Sequence, residues 1–140
     1  QADLLMQSMR INAIGPAMVL RHFAPLLAKG ASVYAKLSAR VGSIEDNKKG
    51  GWYGYRASKA ALNMLLQTAA IELQRKNPNM RVVALQPGTV RSKLSSPHVN
   101  AQSQLLEPQE SVLGMLSTLR ALPAKSGAYF VDYKGAEIPW

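Results

Sequence analysis

Cysteine is absent from the sequence, which excludes a disulfide framework, a thiolate zinc site and a cysteine nucleophile and permits a reducing cytoplasm. Histidine is almost as scarce. His22 and His98 are the only two; they lie far apart without patterned ligand partners, so neither a histidine-based metal site nor a serine–histidine triad is expected. Acidic residues are also few, eight against 17 Lys plus Arg, for a formal net charge of +9. Long apolar runs are missing: Arg, Lys, Pro or Gly breaks each stretch before the roughly 20 residues a bilayer span needs. The first residues lack the basic, apolar, small-residue progression of a secretory signal. A cytoplasmic protein with no membrane partner is expected.

What is present is enough apolar material for a core, 47% of 140 residues, in about one domain's length. The positive charge is dispersed. Nine basic residues and one acid, Glu72, fall between Lys48 and Lys93, yet no basic run exceeds two. That spread argues against a nucleic-acid arm and leaves a solvated face or an anionic small ligand.

Hydrophobic spacing gives the order of elements. Leu4, Leu5, Met9, Ile11, Ile14, Met18, Val19, Phe23, Leu26 and Leu27 recur at helical period from Ala2 to Leu27, with a bend expected at Gly15-Pro16. Ser32 to Leu37 reads as a strand and Arg40 to Trp52 as a loop. Tyr53 to Lys76 is apolar on too many faces for a surface helix, so it should lie against a sheet or a second copy. Arg81 to Gln86 is a second strand, Pro87 to Glu107 a long polar loop, and Pro108 the start of a helix striped by Val112, Leu113, Leu116, Leu119 and Leu122. A last strand follows at Ala128 to Val131. Helices alternating with strands argue for an α/β fold with a parallel sheet.

Within this frame, Tyr55 and Lys59 stand at i and i+4 near the start of the buried helix and share one face. A phenol of reference pKa about 10 is a poor acid at neutral pH, and a cation held beside it favours the phenolate. Taken alone, the pair also reads as an aromatic ring packed on a lysine stem. Its surroundings are more telling: Y-x-A-S-K-A-A-L-N at Tyr55 to Asn63 resembles the active-site helix of the short-chain dehydrogenase/reductase family. Three other segments agree in order. Ile11-Asn12-Ala13-Ile14-Gly15 is similar to the family's N-x-x-G segment, Leu37 to Gly42 to the strand end that carries its serine, and Gln86 to Ser92 to its P-G-x-V-x-T segment. Gly50 to Tyr55 and the ending Ser126-Gly127 to Ile138-Pro139-Trp140 lie nearest the C-factor and sniffer-type carbonyl reductase branch.

The resemblance implies an NAD(P)-dependent oxidoreductase acting on a carbonyl or secondary alcohol, with NADP preferred over NAD. Tyr55 would exchange the proton, Lys59 would lower the Tyr55 pKa and bind the nicotinamide ribose, and Asn12 would hold a relay water. A serine hydroxyl should polarise the carbonyl. The family has Ser-Ser before x-x-G with the second serine catalytic, whereas here Ser38 precedes Ala39, so Ser38 or Ser43 must substitute. Ser38 is favoured by its place at the strand end, and Ser43 by its separation from Tyr55. Pro87, Gly88, Thr89, Val90 and Ser92, with Tyr55 and Lys59, are the implied cofactor contacts; glycine would allow backbone to approach the flat ring. The loop from Ser92 to His98 is expected on the substrate side, and Arg40, Arg91 and Lys93 as solvated cations.

The family's G-x-x-x-G-x-G phosphate loop has no counterpart in this sequence. Residues 1–140 are therefore expected to form a single partial domain, the C-terminal half of a Rossmann-type doubly wound parallel sheet with about three strands and three main helices. Homo-oligomerisation is expected through helices 2–27 and 53–76. The competing reading is a non-catalytic interaction or signalling fragment that associates through those helices, favoured by the missing loop and by Ala39 and opposed by Asn12, Tyr55 and Lys59.

Overall fold

In the computed structural model, which describes residues 1–93, 95 and 105–140, Val82-Val83-Ala84-Leu85 forms the middle of a sheet. A strand apolar on both faces must be covered on both, and β2 (Arg81–Gln86) is buried accordingly. It lies between β1 (Val33–Leu37) and β3 (Tyr129–Asp132), all parallel, in the order β1-β2-β3. The register sets Val33 opposite Arg81 and Leu37 opposite Leu85, then Val83 opposite Tyr129 and Gln86 opposite Asp132. These are the three strands the sequence predicts, each within one residue of its expected bounds.

Alternation across the pleat divides the core in two. Tyr34, Val82, Ala84, Ala128 and Phe130 meet Leu62, Leu66 and Ala70 from α3 (Tyr53–Gln74) on one face. Val83, Leu85, Tyr129 and Val131 meet Met115, Leu119 and Leu122 from the α4 region on the other, α4 being Pro108–Ala121. Arg81 at the start of β2 reaches across to donate from Nη1 to the carbonyls of Leu119 (3.4 Å) and Leu122 (2.7 Å), supplying partners that the end of α4 lacks within itself. Helices on both faces of a parallel sheet give the expected doubly wound α/β arrangement.

The first helix departs from its expected form. It is α1 (Ala2–Met9), a π-helical stretch over Arg10–Ile14 and α2 (Gly15–Phe23), closed by a 3₁₀ turn over Ala24–Leu26. The disturbance lies before Gly15-Pro16 rather than at it. Pro16 has no N–H, so the loss falls on carbonyls one turn earlier, and the Gly15 N–H reaches back five residues to the Arg10 carbonyl. Glycine permits this, since a Cβ there would stand 3.2 Å from that carbonyl oxygen.

α3 turns one face inward; Met64, Leu65 and Ile71 on its other face are exposed, as are Ile11, Ile14, Met18 and Phe23 on the preceding helical segments. The long polar loop is partly tied. Leu106 returns to bridge Val90, exchanging bonds with the Thr89 carbonyl and the Arg91 N–H, both 2.9 Å. No strand pairs with the outer side of β1 among the described residues. No helix of the described residues is long and apolar enough to cross a membrane.

Candidate active site

The C-terminal ends of parallel strands, where crossovers depart, leave room for ligands. Here the ends of β1 and β2, the start of α3 and the start of α1 enclose a cleft of about 970 Å³. Ser38, Tyr55, Pro87, Gly88, Thr89, Val90 and Ser92, all expected site residues, line it, together with Leu4, Leu5, Ala39, Arg40, Val41, Trp52, Tyr53 and Gln86.

Tyr55 is 40% exposed on the first turn of α3. Lys59, one turn on, is buried and places Nζ 5.8 Å from the Tyr55 ring centroid and 3.0 Å from the Leu37 carbonyl, to which it donates. That bond fastens α3 to the end of β1. The same burial raises the Tyr55 pKa from 10.0 and lowers that of Lys59 from 10.5, because each charged form loses water. The expected lowering of Tyr55 by its cationic neighbour is therefore not what this arrangement gives; desolvation prevails while the ammonium faces a carbonyl.

Asn12 joins the cluster through the buried Ser58: its Nδ2 donates to Ser58 Oγ at 3.1 Å, and Ser58 Oγ donates to the Tyr55 carbonyl at 3.0 Å. The side chain of Asn12 is thus used to position α3. Its own carbonyl has no α-helical donor four residues on, because that residue is Pro16.

The two candidate serines differ in place and agree in being engaged. Ser38 Oγ donates to Asn63 Oδ1 at 2.6 Å, while its N–H donates to the Leu85 carbonyl. Ser43 is buried outside the cleft lining, donating to the Trp140 carbonyl at 3.3 Å and accepting from the Asp46 N–H at 2.9 Å. Asn63 lies two turns beyond Tyr55 on the same face of α3, and its Nδ2 has no hydrogen-bond partner among the described residues. A half-turn of that amide would make it the donor to Ser38 and release the serine proton. Asn63 was legible only as part of a motif; its spacing of eight from Tyr55 is the signal for a site role.

The loop after β2 is fixed by its neighbours. Ser111 Oγ, in the first turn of α4, donates to the Pro87 carbonyl at 2.6 Å. Gly88 has φ +83, and a Cβ there would stand 2.5 Å from Leu106 Cδ1 and 3.1 Å from the Tyr133 ring. The positive φ, with these two side chains close by, accounts for glycine at 88. Ser92 Oγ exchanges bonds with Ser95, whose own hydroxyl caps the Val90 carbonyl. Arg40 pairs with Asp46 and Asp132 at 3.6 and 3.9 Å, and Arg91 with Glu107 at 2.8 Å. His98, Leu94, Ser96 and Pro97 of the expected substrate-side loop lie outside the described residues. Among the described residues no group of His, Asp or Glu could hold a metal ion.

Comparison with known proteins shows the same fold and family over most of the chain. The family profile described as enoyl-(acyl carrier protein) reductase matches residues 1–120. The C-signal protein of Myxococcus xanthus is 37% identical over 131 residues, 93% of this chain and 75% of that one. Among solved structures, the NADPH-bound carbonyl reductase from chicken fatty liver superposes with a TM-score of 0.86 at 27% identity, covering all of this chain and 58% of that one. The carbonyl reductase Sniffer of D. melanogaster gives 0.86 at 26%, again covering 58% of its length. The chain thus spans little more than half of those reductases.

Proposed function

The chain belongs to the short-chain dehydrogenase/reductase family, and from that premise we propose that it supplies the catalytic part of an NAD(P)-dependent oxidoreductase that interconverts a carbonyl and a secondary alcohol. One observation carries this reading: Tyr55 opens onto the cleft while Lys59, one turn behind it, is fastened to the end of β1. A bound nicotinamide supplies or accepts the hydride at the carbonyl carbon. The chain's own residues handle the proton: Tyr55 Oη gives it to the carbonyl oxygen in reduction and takes it back in oxidation. Lys59 would bear on the Tyr55 ring and on the ribose of the cofactor, and Asn12, whose carbonyl lacks the donor four residues on because that residue is Pro16, would hold the water that reprotonates the pair. Ser38 is the hydroxyl for the carbonyl oxygen, once Asn63 acts as its donor rather than its acceptor.

The cleft supports a nicotinamide end better than a whole dinucleotide. Pro87, Gly88, Thr89, Val90 and Ser92 form one wall with Tyr55, and backbone groups at a strand end can read a carboxamide. No glycine-rich turn for the pyrophosphate occurs in these residues, so phosphate contacts must come from elsewhere. NADP is preferred over NAD on the strength of the NADPH carried by a structural neighbour. A single partial domain, a cytoplasmic setting, a small carbonyl or alcohol substrate and self-association through helices 2–27 and 53–76 complete the reading; the exposed Ile11, Ile14, Met18, Met64 and Ile71 favour the last. Ala39 and the inward-turned Ser38 hydroxyl favour instead an interaction fragment without turnover.

The test is Tyr55→Phe. NADPH binding by calorimetry should be unchanged, and carbonyl reduction should fall about 10²- to 10⁴-fold, the share carried by a positioned acid. Undiminished turnover by the variant removes Tyr55 from the chemistry. A wild-type chain that binds neither NADPH nor NADH leaves the interaction fragment.

A further inference from the structure

Arg56 follows Tyr55 on the first turn of α3, where a cation opposes the helix dipole and no acidic side chain shares the turn to offset it. Among the described residues it pairs with no carboxylate. Its donors go to backbone instead. Nε donates to the carbonyls of Gly50 (3.2 Å) and Gly51 (3.1 Å), Nη1 donates to the Val41 carbonyl (3.3 Å), and the guanidinium lies 5.7 Å from the Trp52 ring centroid. These partners come from the two ends of one loop: Val41 from the 3₁₀ turn after β1, Gly50 and Gly51 from the approach to α3. Asn47 Oδ1 accepts from the Gly50 N–H at 3.0 Å, which turns the loop back toward Arg56. Trp52, at φ 49, is the only non-glycine residue with a positive φ among those described. A bulky side chain in the left-handed region is strained and persists only where its surroundings over-determine it.

From this geometry we infer that Arg56 is a positioning residue: its guanidinium clips the two ends of loop 41–51 together and so sets where Val41 and Trp52 stand relative to Tyr55. The inference rests on the oxidoreductase reading above. Val41 and Trp52 line the cleft and Arg56 does not, so it acts through the residues it holds. A planar fork with donors fixed in direction suits carbonyls that arrive from two sides, whereas an ammonium is a single point of charge on a flexible stem. Gly42, beside Val41, abuts the backbone of Lys59 and Ala60 closely enough to leave no room for a Cβ. The clip and this contact therefore bear on the same helix, the one that carries Tyr55 and Lys59.

Arg56→Met removes the guanidinium and keeps most of the stem; Arg56→Lys keeps the charge without the fork. Both are compared with wild type as whole chains, by hydrogen-exchange mass spectrometry and by NADPH-dependent reduction of the best substrate from a panel of aliphatic and cyclic ketones. Exchange over residues 41–52 should quicken about 10-fold or more in Arg56→Met, the worth of one hydrogen bond to a charged group, while β2 and α4 keep their wild-type rates. KM for the ketone should rise by about the same factor with kcat within about twofold, the pattern of lost binding rather than lost chemistry. The pH profile of kcat should stay in place, and Arg56→Lys should fall between wild type and Arg56→Met. Loop exchange at the wild-type rate, exchange that quickens evenly over the whole chain, or an unchanged KM in a variant with a loosened loop overturns the inference. So does a fall in kcat with a shifted pH profile, which would assign Arg56 to the proton chemistry. Quickened loop exchange in a protein whose wild type reduces none of the panel overturns the oxidoreductase reading and leaves the clip standing.

Discussion

Replacing Gly42 by alanine isolates the contact that holds α3 at its distance from the end of β1. Gly42 closes the 3₁₀ turn Arg40–Gly42 and is buried against α3. Its φ is not positive, so alanine can adopt the backbone and only space is at issue. There is none: the added Cβ would lie 2.9 Å from the carbonyl carbon of Lys59, 2.9 Å from its Cβ and 3.1 Å from the Ala60 nitrogen. Carbon atoms rest at about 3.5–4.0 Å, so helix and turn must separate by about 0.6–1 Å. Backbone of a buried helix has no flexible end to swing away, and overpacking of this kind costs about 1–3 kcal/mol. With an unfolding entropy of about 2.1 cal/mol/K per residue, that lowers Tm by about 3–10 °C for a chain of this length. Gly54→Ala is the control. A Cβ at Gly54 would meet Leu5 Cδ2 at 3.1 Å and Ser8 Oγ at 3.2 Å, both ends of movable side chains, and the helix gains from losing a glycine. Thermal and urea denaturation of both variants decide the matter. A Gly42→Ala protein as stable as wild type, or a Gly54→Ala protein equally damaged, refutes the packing argument.

The stability of the chain should depend on alkaline pH in a way that Lys59 and Tyr55 divide. Lys59 has a lowered pKa when folded, so between that value and 10.5 the unfolded chain holds more protons and stability rises with pH; Lys59→Met should remove this rise. Tyr55 has a raised pKa, so above 10.0 the folded chain holds more protons and stability falls; Tyr55→Phe should remove the fall. Urea midpoints across that range report both, and wild-type and variant curves that stay parallel would contradict the burial of these groups. Self-association is tested by Met64→Asp. A methionine that goes from 67% exposed to buried in an interface contributes about 1.5–3 kcal/mol, so placing a charge there should weaken association more than tenfold. Sedimentation equilibrium should show an oligomer for wild type and a lighter species for the variant; an unchanged mass moves the interface elsewhere.

The sequence was most informative where one pattern governed one element. Val82, Val83 and Leu85 mark a strand, which the structure buries on both faces, and the apolar repeats of Tyr53 to Lys76 mark a helix for a sheet or a second copy, of which the structure shows the sheet. Effects that travel between elements were less visible. The bend predicted at Gly15-Pro16 takes the form of a π-helical stretch in the preceding turn, where the missing N–H of Pro16 acts; its form is not written in the apolar spacing. The choice between Ser38 and Ser43 turned on distances along the chain, whereas their surroundings are set by Asn63 and by the Trp140 carbonyl, 25 and 97 residues away. Nothing in the tyrosine–lysine motif singles out Arg56. Its bonds to three loop carbonyls depend on the path of residues 41–51, which no local periodicity encodes.

The register of the sheet also governs how the chain reaches its fold. Val33 pairs with Arg81 and Val83 with Tyr129, so each strand meets its neighbour only after 48 and 46 intervening steps of sequence are drawn together. Closing loops of that size costs about 3 kcal/mol of chain entropy apiece before any ladder bond repays it. Helices can form early from local contacts, while the sheet must wait for both crossovers. Until it forms, the parts of the candidate site carried by α3 and by the end of β1 remain separate, so the cleft takes shape only with the sheet.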